Sequence, residues 1–258
     1  MIKKEIHVFF TALMFYTRIP CPKWVDHNPD YLNLATRYFP LIGWIVGGLG
    51  AIILYASSLL FSIEIALLLS MITTILITGG FHEDGFADVC DGFGGGWTRD
   101  KILKIMKDSV LGAYGVIGLI LILTLKFFSL RELVELENIQ WLCGVMLIAH
   151  SLSRTNAVWL MSRSQYVREN EDSKAKPIAK KMTSTTLITA SVLGLTPLLL
   201  FLDLRVLSLM PVLVLVNLYL NRYFNKWIGG YTGDCLGAVQ QISEIAVYLS
   251  FYLIWKFI

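Results

Sequence analysis

Apolar residues run along this chain in long blocks, and one polar stretch breaks the series. Residues 40–61 form the first clear block and 63–80 the second. Five more follow at 110–130, 139–161, 184–201, 206–224 and 235–257. None alternates with the period of a strand, and each is long enough for a helix to cross the hydrocarbon core of a bilayer. A shorter run, EIHVFFTALMFYTRI at 5–19, ends at Pro20 and Pro22. It predicts an interfacial or re-entrant helix, or a short tilted span packed against the bundle. Gly43 and Gly47 have the small-xxx-small spacing that lets membrane helices approach closely. Ser62 and Glu64 mark a tight turn, and Arg99 to Asp108 reads as a surface helix. The expected fold is all-α: a polytopic membrane bundle of about six or seven transmembrane helices plus the short N-terminal helix.

Composition supports this reading. Of 258 residues, 55% are hydrophobic and only 16% charged, and mean hydropathy is +0.63. A soluble domain of this length rarely combines those fractions. No polar stretch is long enough to bury a separate soluble core, so residues 1–258 are expected to form a single membrane-embedded domain. The chain shows no repeat and no nucleic-acid motif. Cys21, Cys90, Cys143 and Cys235 form no CxxC pair, which argues against a zinc site and a disulfide framework. Lys3 and Lys4 before an apolar run resemble a signal peptide, but no small-residue cleavage site follows, so the segment is read as retained.

Charge fixes the orientation. If the polar stretch faces the cytoplasm and the spans alternate, Lys126, Arg131, Arg205 and Lys256 fall near the outer side. Arg154 lies within a span, and every other Lys and Arg lies inside, including a basic loop at 162–183. The chain is thus expected to be a multi-pass protein of the cell (inner) membrane with its site on the cytoplasmic face. That arrangement brings GGYTGD at 229–234 beside the polar stretch.

The polar stretch, GGFHEDGFADVCDGFGGGWTRDKILKIMKDSVLG, carries Glu83, Asp84, Asp88 and Asp91 in its first half. If it is helical, Asp84, Asp88 and Asp91 recur at i, i+4 and i+7 on one stripe. Carboxylates on one face repel unless a cation sits among them, and their hard oxygens suit Mg²⁺ or Mn²⁺. Gly94, Gly95 and Gly96 can wrap a phosphate, and Arg99, Lys101, Lys104 and Lys107 follow. Together these read as metal-assisted phosphoryl transfer, against the plainer reading of a solvated acidic face.

Other residues are chemically open. Arg154 sits in a span with His150 at i−4, and serves either as an arm to phosphate or carboxylate or as a structural ion pair. Asn217 and Asn221 share a helix face and are expected to bridge helices. Asp234 either caps the helix after the second glycine-rich turn or joins a metal or nucleotide site. Gln241 and Glu244 sit in the last span, where Glu244 implies a polar interior.

The stretch from GGFHEDGFADVCDGFGGGW to AYG resembles the signature of the cobalamin synthase, or adenosylcobinamide-GDP ribazoletransferase, family. FYTRIP, PLIG at 40–43, Ser153-Arg154 and GGYTGDCLGA are similar to that family in the same order, so the resemblance spans nearly the whole chain. One position departs: the family's last span carries two acidic residues, and here the first is Gln241. The resemblance implies a Mg²⁺-dependent membrane enzyme. It transfers the phosphocobinamide part of adenosylcobinamide-GDP to α-ribazole or its 5′-phosphate and releases GMP, making adenosylcobalamin or its phosphate. On this reading Asp84, Asp88 and Asp91 hold the metal, and Glu83 or Asp84 takes the hydroxyl proton. His82, Gly94, Gly95, Gly96, Arg99, Lys107, Asp108, Arg154, Asp234 and Glu244 contact substrate. No nucleic acid is expected as a partner, and a homo-oligomer is left open.

Two other readings exist. A CDP-alcohol phosphotransferase also uses membrane-helix aspartates, but its DG-xx-AR motif differs from DGFAD here. A divalent-cation transporter would place carboxylates near the midplane with access from both sides, not in one polar stretch beside glycines and bases.

Overall fold

A computed structural model describes residues 2–26, 28–168 and 182–258. Lys174, Lys176, Lys180 and Lys181 of the expected basic loop lie outside these. The described residues are helical throughout, with one isolated bridge between Tyr166 and Tyr231. The helices are α1 (Ile2–Tyr16), α2 (Pro29–Ala35), α3 (Phe39–Ser58), α4 (Ile63–Thr78), α5 (Phe81–Gly95) and α6 (Arg99–Ile105). They continue as α7 (Ala113–Leu136), α8 (Ile139–Arg163), α9 (Ser184–Leu195), α10 (Leu209–Ile228) and α11 (Gly233–Phe257).

Asp30–Ser58, Ala113–Leu136 and Leu204–Ile228 are long and apolar enough to cross a membrane, and the bent pair Ile63–Thr78 with Phe81–Gly95 passes as a fourth. Both α8 and α11 have 25 residues, the length of a span, but each buries polar side chains along its middle. They form the centre of the bundle, where α8 packs on α3 and α11, and α11 packs on α5, α7, α8 and α10. The α3–α8 contact depends on small residues: a Cβ on Gly43 would lie 2.4 Å from the His150 carbonyl oxygen.

The bundle interior is polar where α7, α8 and α11 meet. Lys126 of α7 pairs with Glu244 of α11 at 2.5 Å, and both are almost fully buried. This corrects the expected place of Lys126 near the outer side. The helix starts at Ala113 and continues to Leu136, so Lys126 falls in its middle and needs a buried counter-ion. Glu244 also accepts from Gln240 Nε2 at 2.6 Å and from the Tyr248 hydroxyl at 3.1 Å. Asn217 of α10 donates to the Asn156 carbonyl at 2.9 Å, the expected bridge between helices.

At one end of the bundle the chain turns sharply. Gly79 and Gly80 have φ of 69° and 71°, a left-handed pair that ends α4 and restarts the helix at 87° to it. The acidic stretch is therefore a helix, α5, set nearly at right angles to α4. The N-terminal α1 packs on α2 and α3, held by Arg37 donating to Glu5 at 3.0 Å, and touches the start of α5 through Phe15 and Tyr16 against Phe81.

Candidate active site

The site is built where α5 crosses the start of α11. Glycines allow the approach: a Cβ on Gly85 would sit 2.9 Å from the Asp234 Cα, and one on Gly237 would sit 2.9 Å from the His82 carbonyl. The crossing brings Asp84, Asp88 and Asp234 within electrostatic reach of one another. Asp84 is exposed and Asp88 is half-buried. Asp88 faces the like charges of Asp234 and Asp84. Such a cluster favours a cation, and its donors are all hard oxygens, so the set fits Mg²⁺ chemically. Among the described residues no three Asp, Glu, His or Cys side chains stand close enough to hold an ion alone.

Arg168 supplies the positive side. Its Nη2 donates to Asp234 Oδ2 at 2.5 Å and to the Met106 carbonyl at 2.9 Å. Two backbone bonds strap its segment to the glycine turn: Val167 N to Tyr231 O at 3.0 Å, and Tyr231 N to Gln165 O at 2.9 Å. Asp234 is not the cap of α11. Thr232 is, accepting from Cys235 N at 3.3 Å.

Asp91 is corrected. It shares α5 with Asp84 and Asp88, but its carboxylate is buried and accepts amide protons from Gly112 at 2.7 Å and Gly115 at 2.8 Å. The N-cap of α7, Gly112, has no side chain, so Asp91 caps that helix from across the fold and faces its positive end. Gly94, Gly95 and Gly96 are corrected too. They are the last turn and C-cap of α5, none has positive φ, and the Gly96 N–H bonds to Gly92 O. An anion-binding nest needs a left-handed step that is absent here. Their small size instead lets α6 and α7 close on α5, since a Cβ on Gly96 would strike Ile102 at 2.6 Å and one on Gly94 would strike Tyr114 at 2.6 Å. Arg99 and Lys107 are exposed on the α6 segment, and Asp108 is exposed and accepts from Val110 N at 3.2 Å.

A second group lies deeper. His82, Glu83, Lys126, His150, Arg154, Gln240, Gln241 and Glu244 line a small polar cavity of about 180 Å³ beneath α5. Arg154 Nη1 donates to His150 O at 2.9 Å, its guanidinium stands over the Phe39 ring, and its Nε has no protein partner. Glu244 and Glu83 are the carboxylates nearest it electrostatically. Gln241 donates to Glu83 Oε1 at 2.9 Å, while Glu83 Oε2 has no protein partner.

The residue pattern did not single out Arg168, Lys126 or Gln241 as parts of these clusters. Arg168 looked like one more charge of a basic loop, and only the Tyr166–Tyr231 bridge reveals its place. Lys126 and Glu244 did carry a signal, as two opposite charges within apolar runs.

A family model described as Cobalamin-5-phosphate synthase matches residues 8–252. The chain belongs to the cobalamin-5-phosphate synthase family. A relative from Shewanella oneidensis, named adenosylcobinamide-GDP ribazoletransferase, is 46% identical over 246 residues, covering 95% of this chain and 93% of the relative. One of the same name from Shewanella amazonensis is 44% identical over 255 residues, covering 98% of each. No solved structure matches. Within this chain, the segments that carry the resemblance are the ones that meet in space: the start of α5, the turn before α11, and Arg154 of α8.

Proposed function

We propose that this chain transfers the phosphocobinamide group of adenosylcobinamide-GDP to α-ribazole or its 5′-phosphate, releasing GMP. The observation that carries this is the α5–α11 crossing, where under-neutralised carboxylates meet an arginine at one end of a membrane bundle, in a chain of this family. A ribose hydroxyl of α-ribazole attacks the phosphorus bonded to the cobinamide side. A new P–O bond forms, the bond to the GMP oxygen breaks, and the hydroxyl proton passes to a carboxylate.

Asp84 and Asp88 would hold a Mg²⁺, whose chemistry when bound is neutralisation of pyrophosphate charge. Glu83 suits the base. Gln241 fixes one of its oxygens and leaves the other without a partner. Arg168, which bonds to the Met106 carbonyl next to exposed Lys107, supplies positive charge to the phosphate oxygens with Lys107 and Arg99 of the same segment, and Asp234 orients Arg168. Arg154 neutralises Glu83 from below in the cavity they share, or lends its free Nε to substrate. The concentration of Lys and Arg in the polar segments supports a site that faces the cytoplasm from the inner membrane.

A cation path through the membrane is a weaker reading, because Glu244 in the bundle interior is already bonded to Lys126, Gln240 and Tyr248. The test is GMP release by the purified chain in lipid discs. With Mg²⁺, adenosylcobinamide-GDP and α-ribazole, GMP and the joined corrinoid should appear in equal amounts. No GMP under these conditions, or GMP release that does not need α-ribazole, overturns the reading.

A further inference from the structure

A cavity of about 470 Å³ opens beside the carboxylate site and is walled almost wholly by ring and aliphatic carbon. Its lining includes Tyr16 and Phe39 of the α1–α3 corner, Phe81 and His82 of α5, Tyr231, and Leu236 of α11. Tyr16 stacks on Phe39 with centroids 4.0 Å apart, and Phe39 is nearly parallel to His82 at 5.7 Å. The result is a column of flat faces. His82 is 2% exposed and borders both this slot and the polar cavity beneath α5, and its Nε2 has no hydrogen-bond partner among the described residues. An apolar aromatic slot with one unspent polar atom is a specific shape of demand.

We infer that this slot receives the benzimidazole base of α-ribazole, with His82 Nε2–H donating to the ring nitrogen that the sugar leaves unsubstituted. This rests on the proposed reaction and names where its acceptor sits. The other parts of the substrates fit poorly. Guanine carries several donors and acceptors on its edge and needs a polar wall. A corrinoid is far larger than the cavity. A dimethylated benzimidazole is flat, apolar and has one free acceptor, which suits a slot walled by Tyr16, Phe39, Phe81 and Leu236 with His82 at its edge. Position agrees. Glu83 and Asp84 directly follow His82, and Gly233, which also lines the slot, precedes Asp234. A base held here delivers its ribose to the carboxylates, where the attacking hydroxyl is needed.

The test uses the full chain in lipid discs and measures α-ribazole binding by calorimetry beside GMP-release kinetics. Leu236→Trp fills the slot and should raise both the Kd and the KM for α-ribazole at least tenfold. The Kd for adenosylcobinamide-GDP should stay unchanged, which also shows that the variant is folded. The second arm compares α-ribazole with an analogue in which the free ring nitrogen is replaced by CH. Wild type should bind the analogue about tenfold more weakly, roughly 1.4 kcal/mol, and His82→Phe should bind the two alike. An unchanged α-ribazole Kd in folded Leu236→Trp overturns the inference. So does equal loss of both substrates, or a phospholipid found in the slot by mass spectrometry and displaced without effect on α-ribazole. If wild type binds α-ribazole in this way but releases no GMP, the slot stands and the reaction falls.

Discussion

The α5–α11 crossing and the interior of the bundle use the same residue types in opposite ways. In the interior, Glu244 is fully partnered by Lys126, Gln240 and Tyr248, with His150 Nε2 3.5 Å away. At the crossing, Asp84 is exposed, Asp88 is half-buried beside Asp84 and Asp234, and among the described residues Arg168 is the cation bonded to the group. A charge with its partners in place gives a bundle its register. A charge without them is held ready for something the chain does not contain. This sorting by spent and unspent charge is more informative than sorting by residue type, and it ranks the substitutions below.

The largest effect belongs to the unspent pair. Asp84→Asn and Asp88→Asn each keep shape and one oxygen but remove the negative charge that would hold the ion. Each should cut GMP release by more than a thousandfold while unfolding at or above the wild-type temperature, because a repulsive cluster has been relieved. Turnover near the wild-type rate with unchanged Mg²⁺ dependence, in both variants, would make this face a solvated one and dissolve the contrast.

In the interior, stability is the sensitive quantity. Lys126→Met leaves Glu244 buried without its ion partner and should cost about 3–5 kcal/mol in denaturant unfolding. Adding Glu244→Gln should return most of that, since Gln keeps the size and much of the bonding to Gln240 and Tyr248. A Lys126→Met chain as stable as wild type would show that water, not lysine, satisfies Glu244.

Arg154 sits between the two regions. It has the buried position of a structural residue, yet among the described residues its Nε has no partner, and neither has Oε2 of Glu83 in the cavity they share. Arg154→Lys keeps the charge and loses the planar fork. If Arg154 serves the site, kcat should fall about tenfold with little change in unfolding. A folded Lys variant with normal turnover assigns it to the bundle alone.

Much of this was legible in the sequence. The spans, the helical acidic stretch, the Arg154–His150 pair and the Asn217 bridge follow from hydropathy and from 3.6-residue spacing. What was hidden depends on contacts between distant segments. Lys126 looked like a charge at the outer end of a span because the apolar run appears to stop near residue 130, whereas α7 continues to Leu136. Gly94–Gly96 looked like a wrap for phosphate because a glycine triple weakens a helix, but packing by Ile102, Ile105 and Tyr114 outweighs that intrinsic cost. No local pattern says that Arg168 is strapped to Tyr231, or which way an aspartate on a helical stripe will turn.

Asp91 turns that last point into the sharpest test of the comparison, since it places both kinds of charge on one helix. Its spacing from Asp84 and Asp88 marks it as a third ligand. Its two oxygens are instead taken by the amides of Gly112 and Gly115 at the start of α7. Asn in its place can still accept one of these protons, but its NH₂ would face the other amide, and the negative charge at the helix start is lost. Asp91→Asn should therefore lower stability by about 1–2 kcal/mol, the range for losing a cap. The Mg²⁺ concentration that gives half-maximal GMP release should stay within about twofold of wild type. The decisive reading is the ratio of the two effects. A tenfold rise in the Mg²⁺ requirement with unchanged unfolding would move Asp91 back among the ligands, and would show that a carboxylate fully bonded to backbone can still be part of the unspent set.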